Sequence, residues 1–342
     1  MERELVEMLK RRLSPWQRAG FLALIGIVLL TASRFIGELR DYQGAQVAVY
    51  VIAISSITLL TGYSGQISLG HGAVMAIGGY GAALSFSLWQ FPFVIAILFG
   101  TLVGTVAGFV LGVAAARLSG PYLAGTTLAL AVGLPTIADQ FKVLGGEQGL
   151  NFDIGDAPSW VRKIGGSEFT QYKWFFWIAV IAALISLWAI TNLLHSNYGR
   201  NWRAARNNAV AASLAGINVA RGKILAFTVS SALASLAGAL FGLLLGIVTP
   251  TAFPLSLSFA IVTGAVLAGV SNLAGSIVGA VVLVAIPEVS GALATHLGGS
   301  QKVTANLPGL VTSLLLILVV LFMPHGLRIR RFKSVKNLIR TK

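Results

Sequence analysis

The chain has 342 residues, of which 56% are hydrophobic and only 11% charged. A soluble domain carries roughly 25% charge, so an ordinary soluble enzyme and a disordered chain are both excluded. The 25 Lys and Arg outnumber the 11 Asp and Glu, for a net charge of +14, and there is no cysteine. Beside so much apolar sequence that excess points to cytoplasmic membrane loops and not to nucleic acid, and thiol chemistry is ruled out.

A bilayer core takes about 20 apolar residues per helix. Ten segments qualify: 19–37, 45–62, 67–88, 92–116, 121–140, 174–194, 224–249, 256–272, 274–290 and 308–323. The predicted fold is an all-α polytopic membrane protein, a single transmembrane domain over 1–342. It has ten spans, or eight to nine if neighbours merge; 256–272 and 274–290, with only Asn272 and Leu273 at the join, could form one long helix and a re-entrant piece. Residues 10–33 have the basic start and apolar run of a cleavable signal peptide. Arg34 and Phe35 directly after Ala32-Ser33 make a poor cleavage region, so the first span is expected to be retained.

Orientation follows from charge. The segment 1–18 carries Arg3, Lys10, Arg11, Arg12 and Arg18; the loop 195–223 carries Arg200, Arg203, Arg206, Arg221 and Lys223 with no acid. The tail 324–342 adds seven more, so these three segments hold seventeen of the 25 basic residues. Ten spans place all three on one side, which the positive-inside rule makes cytoplasmic, with both termini inside. The 142–173 loop, opposite, balances four basic residues against Glu147, Asp153, Asp156 and Glu168.

In chain order, 62–81 is the first segment that is not a plain helix. It reads GYSGQISLGHGAVMAIGGYG, with Ser64, Gln66, Ser68 and His71 among glycines and apolar residues. Irregular backbone at membrane depth is tolerated where it is buried in protein or lines a wet cavity. These four side chains are therefore candidates for a substrate pathway, the alternative being a kinked packing helix. His71, alone among apolar neighbours, fits a hydrogen-bonded packing residue better than a metal ligand. In 92–116, Gly100, Gly104, Gly108 and Gly112 recur every fourth residue, a smooth stripe for close helix packing. Gly238, Gly242 and Gly246 repeat the device, and Gly275 with Gly279 gives a shorter version.

The outer loop 142–173 is long for a connector. In the basic loop, 203–217 is Ala-rich and should be helical until Gly216 stops it. Within the spans the acids are Asp139, near an outer end, and Glu288, just after Pro287. That is thin support for a proton relay, although sodium coupling through backbone carbonyls would escape such a count. No G-x-x-x-x-G-K-[ST] and no His-Glu-x-x-His occurs. No catalytic centre and no metal site is expected.

Gly62-Tyr63-Ser64-Gly65-Gln66-Ile67-Ser68-Leu69-Gly70-His71-Gly72 resembles the signature of LivM-type permeases, the membrane subunits of branched-chain amino acid ABC importers. Arg117-Leu118-Ser119-Gly120-Pro121-Tyr122-Leu123-Ala124 is similar to that family's Arg-Leu-Arg-Gly-x-Tyr-Leu-Ala turn. Ala215 to Val219 with Lys223 to Phe227 resembles its cytoplasmic loop and the next span, and Phe322-Met323-Pro324-His325-Gly326-Leu327 its closing motif. The likeness runs in order from about 45 to 327.

The resemblance implies an ABC importer permease fold in the bacterial inner membrane, surrounded by lipid. It implies partners: a second homologous permease, two ATPase subunits that use the ATP and Mg, and an extracytoplasmic solute-binding protein. No cofactor would be bound by this chain. The substrates implied are branched-chain or related hydrophobic amino acids; urea and short-chain amide permeases share the motifs, and an ion-coupled secondary transporter is the remoter alternative. The 203–217 helix resembles the coupling helix that docks on the ATPase, with Arg203, Arg206, Asn207, Asn208, Ala211, Gly216 and Ile217 as its candidate residues. The family usually carries acids where this chain has Asn207, Ala209 and Ser213, so docking should be mainly apolar and hydrogen-bonded. Glu288 matches a Pro-Glu of the family, and is placed either at the pathway or as a helix-end brace. Gly145-Gly146-Glu147-Gln148-Gly149-Leu150 also resembles a family motif, making the outer loop a landing surface for the binding protein or a lid. Spans 45–140 and 224–323 bracket this loop, compatible with an internal duplication, but no residue-level repeat is visible.

Overall fold

The computed structural model describes residues 14–296, apart from 119, 156, 160 and 163–169, with scattered residues between 307 and 321. The basic segment 1–13, the tail 324–342 and much of the tenth expected span lie outside the described residues. Among the described residues, nine helices are long and apolar enough to cross a membrane.

Helix α1 (Pro15–Ala32) starts where the sequence supplies a capping box: Ser14 Oγ accepts from the Gln17 amide and Gln17 Oε1 accepts from the Ser14 amide. It therefore begins before the expected residue 19, leans on α6 and leaves Phe21, Leu24 and Ile27 exposed to the bilayer. Helix α2 (Glu38–Ile57) continues as one π-type turn, Thr58–Tyr63. Helices α3 (His71–Trp89), α4 (Phe93–Arg117), α5 (Pro121–Gln140) and α6 (Gln171–His195) follow, with short α7 (Asn197–Asn207) and α8 (Ala209–Leu214). Next come α9 (Val219–Leu245), α10 (Leu255–Ala268) and α11 (Gly275–His296). The 256–290 region is thus two helices, not one long helix with a re-entrant piece. The chain turns at Gly269, whose φ of 85° belongs to the left-handed region.

Helix α9 is the centre of the bundle, packed on α3, α4 and α2; α2 in turn holds α6 and the α10–α11 pair. Close approach is achieved by the expected glycines. A Cβ added at Gly104 would lie 1.6 Å from Ser235 Oγ, at Gly108 2.1 Å from Ser231 Cβ, and at Gly100 2.3 Å from the Gly78 carbonyl oxygen. Gly112 lies against Ile224 and Phe227, so the stripe serves α9 along most of its length and α3 at one end. In the second stripe Gly238 meets the Met75 backbone of α3 and Gly242 meets Val248. Gly246 departs from the expectation: it is the left-handed cap that ends α9, with φ 71°.

The helices alternate in direction. One end of the bundle collects the 63–71, 117–121, 195–219 and 268–275 connections, and is the basic end because it carries the 195–223 loop. At the opposite end Leu150–Asn151 (β1) pairs antiparallel with Ile247–Val248 (β2), a two-residue exception to the all-α expectation. Phe152 is fully buried against Phe86, with ring centroids 5.3 Å apart, and its amide donates to the Gly246 carbonyl. The described start of the 142–173 loop is thereby fastened to the bundle.

Candidate functional site at the basic end

The broken segment is shorter than 62–81. Irregularity runs from the π-type turn at Thr58 to Gly70, and from His71 onward the chain is regular helix. Two glycines make the turn possible. Gly62 faces the Val270 carbonyl oxygen, which would stand 1.8 Å from an added Cβ, and Gly65 has φ 75°. The reversal is held by side chains as well: Thr61 Oγ1 donates to the Gln66 carbonyl (3.0 Å) and the Leu69 amide donates to Thr127 Oγ1 (3.0 Å).

Ser64, Gln66, Ser68 and His71 are brought together here, all nine-tenths or more buried. Gln66 Nε2 donates to Ser64 Oγ (2.8 Å) and to the Lys223 carbonyl at the start of α9 (3.1 Å), while its Oε1 is buried without a hydrogen-bond partner. His71 Nε2 lies 2.9 Å from Ser230 Oγ, and Ser230 Oγ donates to the Ser56 carbonyl (2.8 Å). Since the Ser230 proton is committed to Ser56, Nε2 carries the ring proton and donates, leaving Nδ1 to accept from Ser68 Oγ at 3.2 Å. His71 thus ties α3 to α9 and α2. The Gly72 amide adds a bond to Ser258 Oγ of α10 (2.9 Å).

The five expected pathway residues fall in two places. The four motif residues form an internal knot: the cleft beside Ser64 has a volume of about 20 Å³, room for about one water. Glu288 does not join them. It is exposed on α11 toward the other end of the bundle, where Gln43 Nε2 of α2 donates to its Oε1, as a brace between helices. Among the described residues two open clefts reach ligand size: one of about 640 Å³ lies among α2, α9, α10, α11 and residues 309–317, lined by Tyr50, Phe241, Ser256, Leu283 and Pro287, and one of about 620 Å³ lies beside Phe86, Gln90 and Asn151.

The 195–223 loop also differs in detail. The single helix expected over 203–217 is two. Asn197–Asn207 starts earlier because Ser196 Oγ accepts from the Tyr198 amide, and it breaks at Asn208, whose Oδ1 accepts from the Ala211 amide (3.0 Å) and caps α8. An Asn side chain that captures a following amide competes with helix continuation. Gly216, φ 81°, ends the unit as expected, and the Ile217 amide donates back to the Ala212 carbonyl (3.0 Å).

The two arginines face the membrane domain. Arg203 Nη2 donates to the Leu194 carbonyl (3.0 Å), its guanidinium 5.9 Å from the Tyr63 ring centre. Arg206 Nη1 donates to the Gly62 carbonyl and to Ser271 Oγ (2.9 Å). Asn207, Asn208 and Ala211 remain exposed at the tip, beside Val210 and Leu214, which are 70% and 85% exposed.

Sequence reasoning missed several of these groups. Val210 and Leu214 were legible as an apolar i, i+4 pair. Ser56, Ser230 and Ser258 were not, since a lone serine in an apolar span carries no partner information. Asp41, just ahead of the expected second span, is buried in the first turn of α2 with Lys173 of α6 as its neighbouring cation. Among the described residues no cluster of three or more His, Cys, Asp or Glu is arranged to hold a metal.

Comparison with known proteins agrees with this architecture. The family described as branched-chain amino acid transport system / permease component matches residues 43–323. The high-affinity branched-chain amino acid transport system permease protein LivM of Salmonella typhimurium is 30% identical over 260 residues, 70% of this chain. The chain spans only 61% of that relative's length. LivH of Escherichia coli K12 is 26% identical, covering 82% of this chain and 91% of its own. The autoinducer 2 import system permease protein LsrC of Salmonella typhi is 26% identical, over 76% of this chain and 73% of its own. With the family match running from α2 to residue 323, the chain belongs to the family of branched-chain amino acid transport system permease components.

Proposed function

We propose that the chain is the permease subunit of an ATP-driven ABC importer that carries branched-chain or related hydrophobic amino acids across the bacterial inner membrane. It binds no cofactor of its own. Its partners are a second homologous permease, two ATPase subunits that consume the ATP and Mg, and an extracytoplasmic solute-binding protein. The observation that supports this is the pairing of the family match with a basic end suited to docking: α7 is packed on the bundle through Trp202, and α8 beyond it presents Val210 and Leu214 to solvent. An apolar pair one helical turn apart on a cytoplasmic tip fits a surface that a partner covers. The fastened start of the 142–173 loop supports a landing surface for the binding protein over a free lid. The 640 Å³ cavity, mostly apolar with Tyr50 and Ser256 at its wall, has the size of a small-ligand site.

Proteoliposomes test the class. The chain reconstituted with its ATPase, binding-protein and second-permease partners should take up radiolabelled leucine, isoleucine or valine only with internal ATP. Uptake by the single chain under a proton or sodium gradient would overturn the ABC assignment. Uptake of urea, a short-chain amide or a sugar-like solute in place of these amino acids would retain the class and replace the substrate. The relative LsrC, by its name a permease for autoinducer 2, makes that comparison necessary.

A further inference from the structure

We infer that Arg206 is an internal latch: it fastens α7 to the π-type turn of α2 and to the α10–α11 connection, so that the three move as one. This rests on the permease reading for its purpose, and on geometry alone for its existence. One guanidinium nitrogen, Nη1, donates to both the Gly62 carbonyl and Ser271 Oγ. Ser271 Oγ itself donates to the Gly62 carbonyl (3.2 Å), and Tyr63 OH donates to the Ser271 carbonyl (3.0 Å). Arg206 and Ser271, from two segments far apart in sequence, therefore converge on the carbonyl of a third.

That carbonyl is special for a local reason. It lies in the turn where α2 stops being an α-helix, next to residues 65–70, which are not helical, so it is not consumed by a regular helical ladder. The packing around it is equally specific. The Arg206 stem crosses Gly65 so closely that an added Cβ would lie 2.9 Å from its Cγ, and Val270 closes over Gly62. Arg203 stacks beside it on Tyr63 and holds the end of α6 through the Leu194 carbonyl. The basic side chains nearest the membrane thus face inward, while the apolar pair Val210 and Leu214 faces out. Contact with an ATPase falls to α8, and transmission falls to α7 through Arg206. Arg206 is a positioning residue that acts through the turn preceding His71 and its bonds to Ser230 and Ser68.

The absence of cysteine allows a direct test. Spin labels on Tyr198→Cys in α7 and Ile67→Cys in the 65–70 segment, both exposed positions, report their separation in the purified chain. A narrow distance distribution is expected in the otherwise native chain and a broad or shifted one in Arg206→Gln. Arg206→Lys, which keeps a donor for the Gly62 carbonyl, should narrow it again, and Ser271→Ala should fall between. Equal distributions in Arg206→Gln and the native residue overturn the latch. In the full complex, solute imported per ATP hydrolysed should fall about tenfold in Arg206→Gln and recover partly in Arg206→Lys. A loss that only tracks the amount of ATPase co-purified overturns the latch in favour of a docking role. The distance measurement needs no transport, so failure of the latch and failure of the importer reading are separable.

Discussion

At the scale of single residues, small side chains carry the architecture. Gly104 permits α4 to touch α9, and Gly104→Ala should force Ser235 and the two helices apart. The cost is about 1–3 kcal/mol as overpacking, read as a lower melting temperature in detergent. Gly125 and Gly133 of α5 meet nothing within 4 Å of an added Cβ, so the same substitution there should leave the melting temperature unchanged or raise it. Equal effects at all three would refute close packing at Gly104. Ser230→Ala removes the acceptor of the His71 Nε2 proton and the bond to Ser56, and should cost about 1 kcal/mol. The glycine stripe was readable in advance because its spacing of four is a property of the helix itself. The serine partners were not, because hydrogen bonds such as His71 to Ser230 span 159 residues of chain.

At the scale of elements, the breaks and caps decide what the helices can do. The cap Asn208 separates α7, held to the bundle by Arg203 and Arg206, from α8, which carries the exposed tip. Asn208→Ala should cost about 1 kcal/mol of local helix stability and fuse the two helices, seen as a changed distance between labels placed on Tyr198 and Leu214. Val210→Asp puts a charge on the apolar tip without touching the bundle. It should reduce ATPase co-purification while leaving the melting temperature of the isolated chain unchanged, and undiminished co-purification would remove Val210 from the docking surface. Sequence showed a helix ending at Gly216, since a glycine stop is a local signal. It did not show the interruption at Asn208, because Asn is compatible with a helix interior until its side chain is seen to bind the Ala211 amide.

At the scale of the whole molecule, alternation of apolar spans and basic loops sets the topology. With the 195–223 loop cytoplasmic, a membrane-impermeant maleimide added to intact cells should label Val143→Cys and not Val210→Cys, the second reacting only after permeabilisation. The reverse pattern would invert the orientation. Helix class, nine of the ten expected spans among the described residues and the clustering of positive charge follow from the sequence alone, because hydropathy and capping act within about 20 residues. Which polar groups meet does not. Ser64, Gln66, Ser68 and His71 read as one polar segment and do gather, yet as a buried knot, while Glu288 is carried to another part of the bundle by the direction of α11. Arg206 reads in the sequence as a loop charge and, by resemblance, a candidate for docking on the ATPase; only the folding of α7 back onto Gly62 and Ser271 gives it a membrane-side partner. Local sequence therefore determined that this chain crosses a membrane repeatedly with one basic side. Tertiary structure decided where its polar groups are spent, because those bonds depend on approach between segments that no local pattern encodes.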